Sequence, residues 1–259
     1  MEKNLKKALA LLTAIAIVGG ANYVPQNENF SIKNSMSVSA ESINGELSYE
    51  VVGEEVVITG VNGEPKNIII PEEIEGYPVT SIGEYAFEAC SSLVSIVIPD
   101  SVTSIGGTAF LDCSGLASID IPNSVTSIGR GVFAGCISLT SIVIPNSVTS
   151  IGERYFYGCE SLESIVIPDS VTSIGEMAFS GCSSLSSIDI PNSVTTIGNS
   201  SFFSCGLNEM VIPNSVTSIG EYAFSGCGDL VSIDIPNSVT SIGEYAFYLC
   251  GGLESIEIP

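Results

Sequence analysis

A unit of 23 residues recurs along this chain and dictates its architecture. Pro99, Pro122, Pro145, Pro168, Pro191, Pro213, Pro236 and Pro259 stand 23 residues apart, except for 22 between Pro191 and Pro213. A period in that range belongs to stacked repeats rather than to a compact globule. One copy reads Leu139, Ile142, Ile144, Pro145, Val148, Ile151, Gly152, Phe156, Cys159. No single unit can bury so many apolar side chains, whereas a stack buries them against neighbouring copies.

Within a repeat, Leu-x-x-Ile-x-Ile-Pro alternates with period two and is closed by proline, the pattern of a short strand. Val-Thr-Ser-Ile-Gly reads as a second extended segment that glycine releases into a turn. In Ala86, Phe87, Cys90 and Leu93 the spacing i, i+1, i+4, i+7 predicts one face of a short helical turn. An acid such as Glu84, Glu153, Glu176, Glu221 or Glu244 opens it and suits a helix N-terminus. The predicted fold class is therefore a mainly β repeat solenoid with a parallel sheet, a short second extended segment and a helical turn per repeat.

The eight cysteines, Cys90, Cys113, Cys136, Cys159, Cys182, Cys205, Cys227 and Cys250, share one register of the repeat. Equivalent sites offer no preferred pairing, and disulfide geometry is demanding. The expectation is a ladder of reduced thiols turned inward as small hydrophobes. In the sixth unit Cys205-Gly206-Leu207 is one residue short and Met210 replaces isoleucine, which predicts a local bulge.

Three regions follow. Residues 1–40 carry Lys3, Lys6 and Lys7 ahead of an apolar run from Ala8 to Val18, the layout of a secretory signal peptide with its leader. Residues 41–66 contain the alternating Leu47, Tyr49, Val51 and then Val56, Ile58, a β-hairpin expected to cap the stack. Residues 67–259 hold eight repeats. The longer first unit, around Gly76-Tyr77-Pro78, predicts a surface loop. The chain stops in mid-repeat at Pro259, so either a continuation or an edge left to pair is expected there.

Composition narrows the chemistry. The chain has no histidine, the commonest general base and imidazole ligand near neutral pH. It shows no phosphate-binding loop, nucleophile elbow or acidic calcium loop. An enzyme is not expected, nor a cofactor or a metal. Beyond residue 40 only Lys66, Arg130 and Arg154 face 27 of the 29 acids, since Glu2 and Glu28 fall earlier. Such a surface repels phosphate backbones and anionic lipid, so no nucleic acid and no membrane insertion after signal removal are expected. The partner class that remains is an extracellular protein or glycan.

Two surfaces could serve it. The outward strand positions Val97, Asp120, Val143, Val166, Asp189, Val211 and Asp234, continued by Glu257, form a column expected to line the concave face of the solenoid. A parallel column begins at Ser95, Ser118, Ser141 and Ser164. The same residues are equally what an outward strand position prefers. On the opposite surface Tyr85, Tyr157, Tyr222, Tyr245, Tyr248 and Phe203 occupy variable positions, as binding tyrosines or as cover for neighbouring repeats.

From about Thr80 to Pro259, with Asn67 to Pro71 as a lead-in, the sentence L-x-x-I-x-I-P-x-x-V-x-x-I-G-x-x-A-F-x-x-C resembles the BspA-like (bacterial surface antigen A type) leucine-rich repeat family. One departure matters. Pro145 and Ser147 follow the strand where many leucine-rich repeats carry an asparagine or cysteine, so the usual asparagine ladder is missing. The resemblance implies a curved solenoid exposed at a cell surface and, in some relatives, attachment to host matrix or other cells. The functional expectation is an exported adhesion module, with a passive spacer that displays other domains as the alternative.

Overall fold

The computed structural model describes residues 47–258; the signal-peptide segment and the start of the expected cap lie outside the described residues. Leu47–Val52 (β1) and Glu55–Val61 (β2) form an antiparallel hairpin across Gly53-Glu54, with Gly53 at φ 68°. Strand β2 then lies parallel to Tyr77–Ile82 (β5). It therefore covers one edge of the sheet built from the second extended segments.

Two parallel ladders run through the solenoid of about eight turns. The first segments contribute Asn67–Ile69 (β3), Ser95–Val97 (β6), Ser141–Val143 (β9), Ser164–Val166 (β10), Glu209–Val211 (β13) and Ser232–Asp234 (β15). Pairs β3–β6, β9–β10 and β13–β15 are in register, and single bridges join Val97 to Asp120 and Ser118 to Ser141. The second segments contribute β5, Ser104–Ile105 (β7), Ser127–Ile128 (β8), Ser173–Ile174 (β11), Thr196–Ile197 (β12), Ser218–Ile219 (β14) and Ser241–Ile242 (β16). They form one sheet ending at β8 and another beginning at β11. The repeat pattern predicts a parallel sheet and, beside it, a short second extended segment. The second segment builds its own because its backbone groups also pair with neighbouring repeats.

The loop expected near Gly76 is instead a small hairpin. Glu73–Ile74 (β4) pairs antiparallel with Tyr77 and Pro78 across Glu75 and Gly76, which both have positive φ, the conformation that a two-residue hairpin turn of this hand requires.

The helical turn is not formed either: among the described residues there is no helix. After each Ile-Gly the backbone takes positive φ at two residues four apart, as at Thr108 and Asp112, Gly131 and Gly135, Arg154 and Gly158. Every second N–H then points along the stack rather than back up its own turn. Phe110 N–H donates to Val132 C=O at 2.9 Å, Phe133 N–H to Tyr155 C=O at 3.0 Å, and Phe156 N–H to Ala178 C=O at 2.8 Å. The remaining donors close short turns, as from Cys113 N–H to Phe110 C=O. This third ladder satisfies the backbone between repeats, which an α-helix would satisfy within itself.

The core lies between the three ladders. Phe87, Phe110, Phe133, Phe156, Phe179, Phe202 and Phe224 are fully buried and stacked at 5.3–5.7 Å between successive ring centroids. Each burial contributes about 1.5–3 kcal/mol, and each ring pair about 0.5–1.5 kcal/mol more. Close stacking also explains the repeat glycine: a Cβ on Gly198 would sit 2.6 Å from the carbonyl carbon of Gly175, and one on Gly106 2.5 Å from the backbone nitrogen of Glu84.

All eight cysteines are free, and seven are buried. Each buried thiol donates to the phenylalanine carbonyl of the preceding repeat, for example Cys136 Sγ to Phe110 C=O at 3.2 Å and Cys205 Sγ to Phe179 C=O at 2.9 Å. A partial series follows the proline, where Ser147, Ser170, Ser193 and Ser215 donate to a valine carbonyl of the preceding repeat, as from Ser170 Oγ to Val148 C=O at 2.7 Å, while the Ser101, Ser124 and Ser238 hydroxyls find no partner among the described residues. Hydroxyls and thiols thus hold carbonyls between repeats in a chain without the asparagine ladder.

The sixth repeat absorbs its missing residue without leaving the core. Leu207 and Met210 stay buried, and Met210 pairs with Ile233. The first-segment ladder is interrupted at the preceding turn, where residues 187–189 lie in no strand, while Asn208 N–H still donates to Ser186 C=O as Glu163 N–H does to Thr140 C=O and Val231 N–H to Asn208 C=O.

Candidate functional site

In the first-segment strands, Ile142 and Ile165 point into the core while Ser141, Val143, Ser164 and Val166 flank them on the outer side. Alternation along a pleated strand produces this division. Val143 and Val166 are directly paired and 60% and 58% exposed, and Val211, paired with Asp234, is 68% exposed. Asp120, Asp189 and Asp234 are also exposed, and Val97 is half-buried. The ladder brings Val97 beside Asp120 and Val143 beside Val166, while Asp189 sits where the ladder is interrupted. Ile69, in register with Val97 and 38% exposed, extends the column by one repeat. Because the first unit is longer, Ile69 stands 28 residues before Val97 and falls outside the 23-residue period.

This face offers apolar relief set among carboxylates. Among the described residues no group of three or more histidine, cysteine or acidic side chains could hold a metal ion. No helix there is long and apolar enough to cross a membrane.

On the turn ladder the six aromatic residues singled out from the sequence are all exposed. Tyr222 and Tyr245 stack at 5.1 Å, and Tyr245 meets Tyr248 edge to face at 5.8 Å. The first pair is ring cover between neighbouring repeats, the second lies within one repeat. Tyr157 and Phe203 instead border a groove of about 590 Å³ whose lining includes Arg130, Arg154 and Met177. Arg130 Nη2 lies 3.1 Å from Glu153, and Arg154 Nε is 3.9 Å from the same carboxylate and 3.4 Å from Met177 Sδ. In the sequence these arginines stand out only as charge. They occupy different registers of neighbouring repeats, so a search for columns does not unite them.

The interior thiols are chemically quiet. Loss of solvation on burial pushes the Cys113, Cys159 and Cys227 thiols up to about 12, and those of Cys136, Cys182 and Cys205 well above their ordinary value. Half-buried Cys90 is raised for the same reason.

Comparison with known proteins places this geometry. The family described as BspA type leucine rich repeat region matches in six copies over residues 64–186 and 149–259. Among solved structures, a leucine-rich repeat protein of T. pallidum is 31% identical with a TM-score of 0.58, the match covering 80% of this chain and 87% of that one. A leucine rich cell surface protein of Faecalibacterium prausnitzii A2-165 is 28% identical with a TM-score of 0.54, covering 92% of this chain and 78% of that one. No curated protein matches the chain at a significant level. With the repeat landmarks, the parallel ladders and the family match all falling on the same residues, the chain belongs to the BspA-type leucine-rich repeat family.

Proposed function

We propose that this protein is an exported, non-enzymatic cell-surface module that binds an extracellular protein or glycan through the outer face of its first-segment strands. The observation that carries this reading is the paired Val143 and Val166, held 60% and 58% exposed on a sheet face whose other rows are serine and acid. Apolar side chains presented in a row on a rigid ladder lose little conformational entropy on binding and are desolvated readily. The signal-like residues 1–40 and the cell-surface relative support export.

A titration of the purified protein against a panel of matrix proteins and glycans at two salt concentrations tests the proposal. Saturable binding to one class, abolished by Val143→Glu with Val166→Glu while far-ultraviolet circular dichroism is retained, supports it. An affinity unchanged by the double substitution removes this face. Silence across the panel favours the alternative, a spacer whose regular ladders serve only to hold other parts apart.

A further inference from the structure

We propose that the groove bordered by Arg130, Arg154, Tyr157 and Phe203 on the turn ladder is a second binding site, for a saturated, hydroxylated ring bearing one carboxylate: an acidic monosaccharide unit. It lies on a different ladder from the strand face and does not depend on that reading.

Charge is the first ground. Lys66, Arg130 and Arg154 are the cations among residues 47–258, and two of the three line this one groove. Glu153 lies between their guanidiniums, so the trio keeps one net positive charge on a molecule otherwise rich in acid. A polyanion would be repelled by the rest of the surface, whereas a single carboxylate is matched. Each guanidinium has five N–H donors in a planar fork, and the Glu153 and Met177 contacts occupy few of them.

Shape is the second. Along one row of the turn ladder large and small residues alternate: Leu111, Ala134, Tyr157, Ser180, Phe203. Their adjacency is fixed by backbone bonds from Gly135 N–H to Tyr157 C=O, Gly158 N–H to Ser180 C=O and Gly181 N–H to Phe203 C=O. Ala134 and Ser180 are therefore notches, and the rings of Tyr157 and Phe203 stand two repeats, roughly 10 Å, apart along the stack. On the adjoining row, which runs through Arg154, Met177 and Ser200, the surface closes over where Tyr222 and Tyr245 stack on each other.

Backbone satisfaction is the third ground, and it selects the ligand class. Because these N–H and C=O groups are spent on the neighbouring repeat, an extended peptide finds no row of backbone groups to augment. Recognition falls to side chains: aromatic faces for a ring, the Ser200 hydroxyl, and guanidinium for the carboxylate.

Calorimetric titration of the full chain with sodium D-glucuronate, D-glucose, acetate and acetyl-trialanine with a free terminal carboxylate tests this. Glucuronate is expected to saturate, with glucose and acetate each at least about tenfold weaker, since each lacks one half of the recognition. Arg154→Gln should weaken glucuronate by about tenfold, and Tyr157→Ala should weaken glucuronate but not acetate. Tyr157 is exposed and Arg154 half-buried at the surface, so thermal unfolding should shift little, and the Val143→Glu, Val166→Glu protein should bind glucuronate normally. Absence of saturation, equal binding of glucose, or indifference to Arg154→Gln overturns the proposal. Tighter binding of the peptide than of glucuronate overturns the ligand class.

Discussion

The Tyr155 hydroxyl donates a hydrogen bond to the Ile128 carbonyl at 2.6 Å. In other repeats the equivalent carbonyl takes the glycine N–H of the next unit, as Ile105 takes Gly129 and Ile151 takes Gly175, both at 2.8 Å. Tyr155 stands where most repeats have alanine, and a Cβ on Gly152 would meet its ring at 2.2 Å. The ring is thus wedged between repeats at the second ladder, and the sheet breaks there, between β8 and β11.

Tyr155→Phe keeps the wedge but leaves the Ile128 carbonyl without its donor, at an expected cost of about 1–3 kcal/mol. Tyr155→Ala removes the wedge and lets Gly152 N–H close the ladder. It should therefore cost less than the ~3–5 kcal/mol usual for a buried aromatic, and amide exchange at Gly152 should slow. A full-size loss with no new protection would mean that the wedge holds these repeats together.

Phe156→Ala is the contrasting case. Phe156 is fully buried and stacked at 5.7 Å on Phe133 and 5.4 Å on Phe179, where no backbone partner waits to replace it. Its loss should cost about 3–5 kcal/mol in denaturant unfolding. A cost under about 1 kcal/mol would refute the aromatic ladder as a source of stability.

Gly198→Ala should destabilise by about 1–3 kcal/mol, because its Cβ meets the backbone of Gly175 at 2.6 Å. Gly228, whose Cβ would meet nothing within 4 Å, is the control, and Gly228→Ala should lie within about 0.5 kcal/mol of the parent. Equal unfolding temperatures for the two variants would show that repeats can move apart to admit a methyl group.

The thiol ladder makes stability fall in alkali. Cys113, Cys159 and Cys227 are neutral in the fold up to about pH 12, against an ordinary thiol value of 9.0. Below pH 9 folded and unfolded chains carry the same protons and the full contribution is present. Between 9 and 12 the unfolded chain releases protons that the folded chain keeps, so each such thiol removes about 1.4 kcal/mol per pH unit. Unfolding midpoints at pH 8 and pH 10 should therefore differ sharply, and Cys159→Ala should reduce the difference. In native protein at pH 8 iodoacetamide should reach half-buried Cys90 first.

The period and the strand pattern were legible because a core position repeated eight times averages out local exceptions. Leu139, Ile142, Ile144, Phe156 and Cys159 are all buried, as their spacing requires. The turn after Ile-Gly was misread because i, i+1, i+4, i+7 describes a buried face without saying which backbone makes it. A helix and a non-helical turn with positive φ at Thr108 and Asp112 both bury Phe110 and Cys113. The exposed strand rows were readable by alternation, but the groove was not, since Arg130 and Arg154 are 24 residues apart and fall in different columns.

Repetition of apolar positions in the sequence determined that the chain stacks, which side chains meet inside, and that the cysteines face inward unpaired. The tertiary structure decided where each turn's N–H groups go, since Phe110 finds Val132 only when the next repeat lies beside it. It also decided that Tyr155 enters between two repeats and that two arginines share one groove. Burial is written locally in hydrophobic period, whereas a hydrogen-bond partner some 22 residues away exists only once the stack has formed.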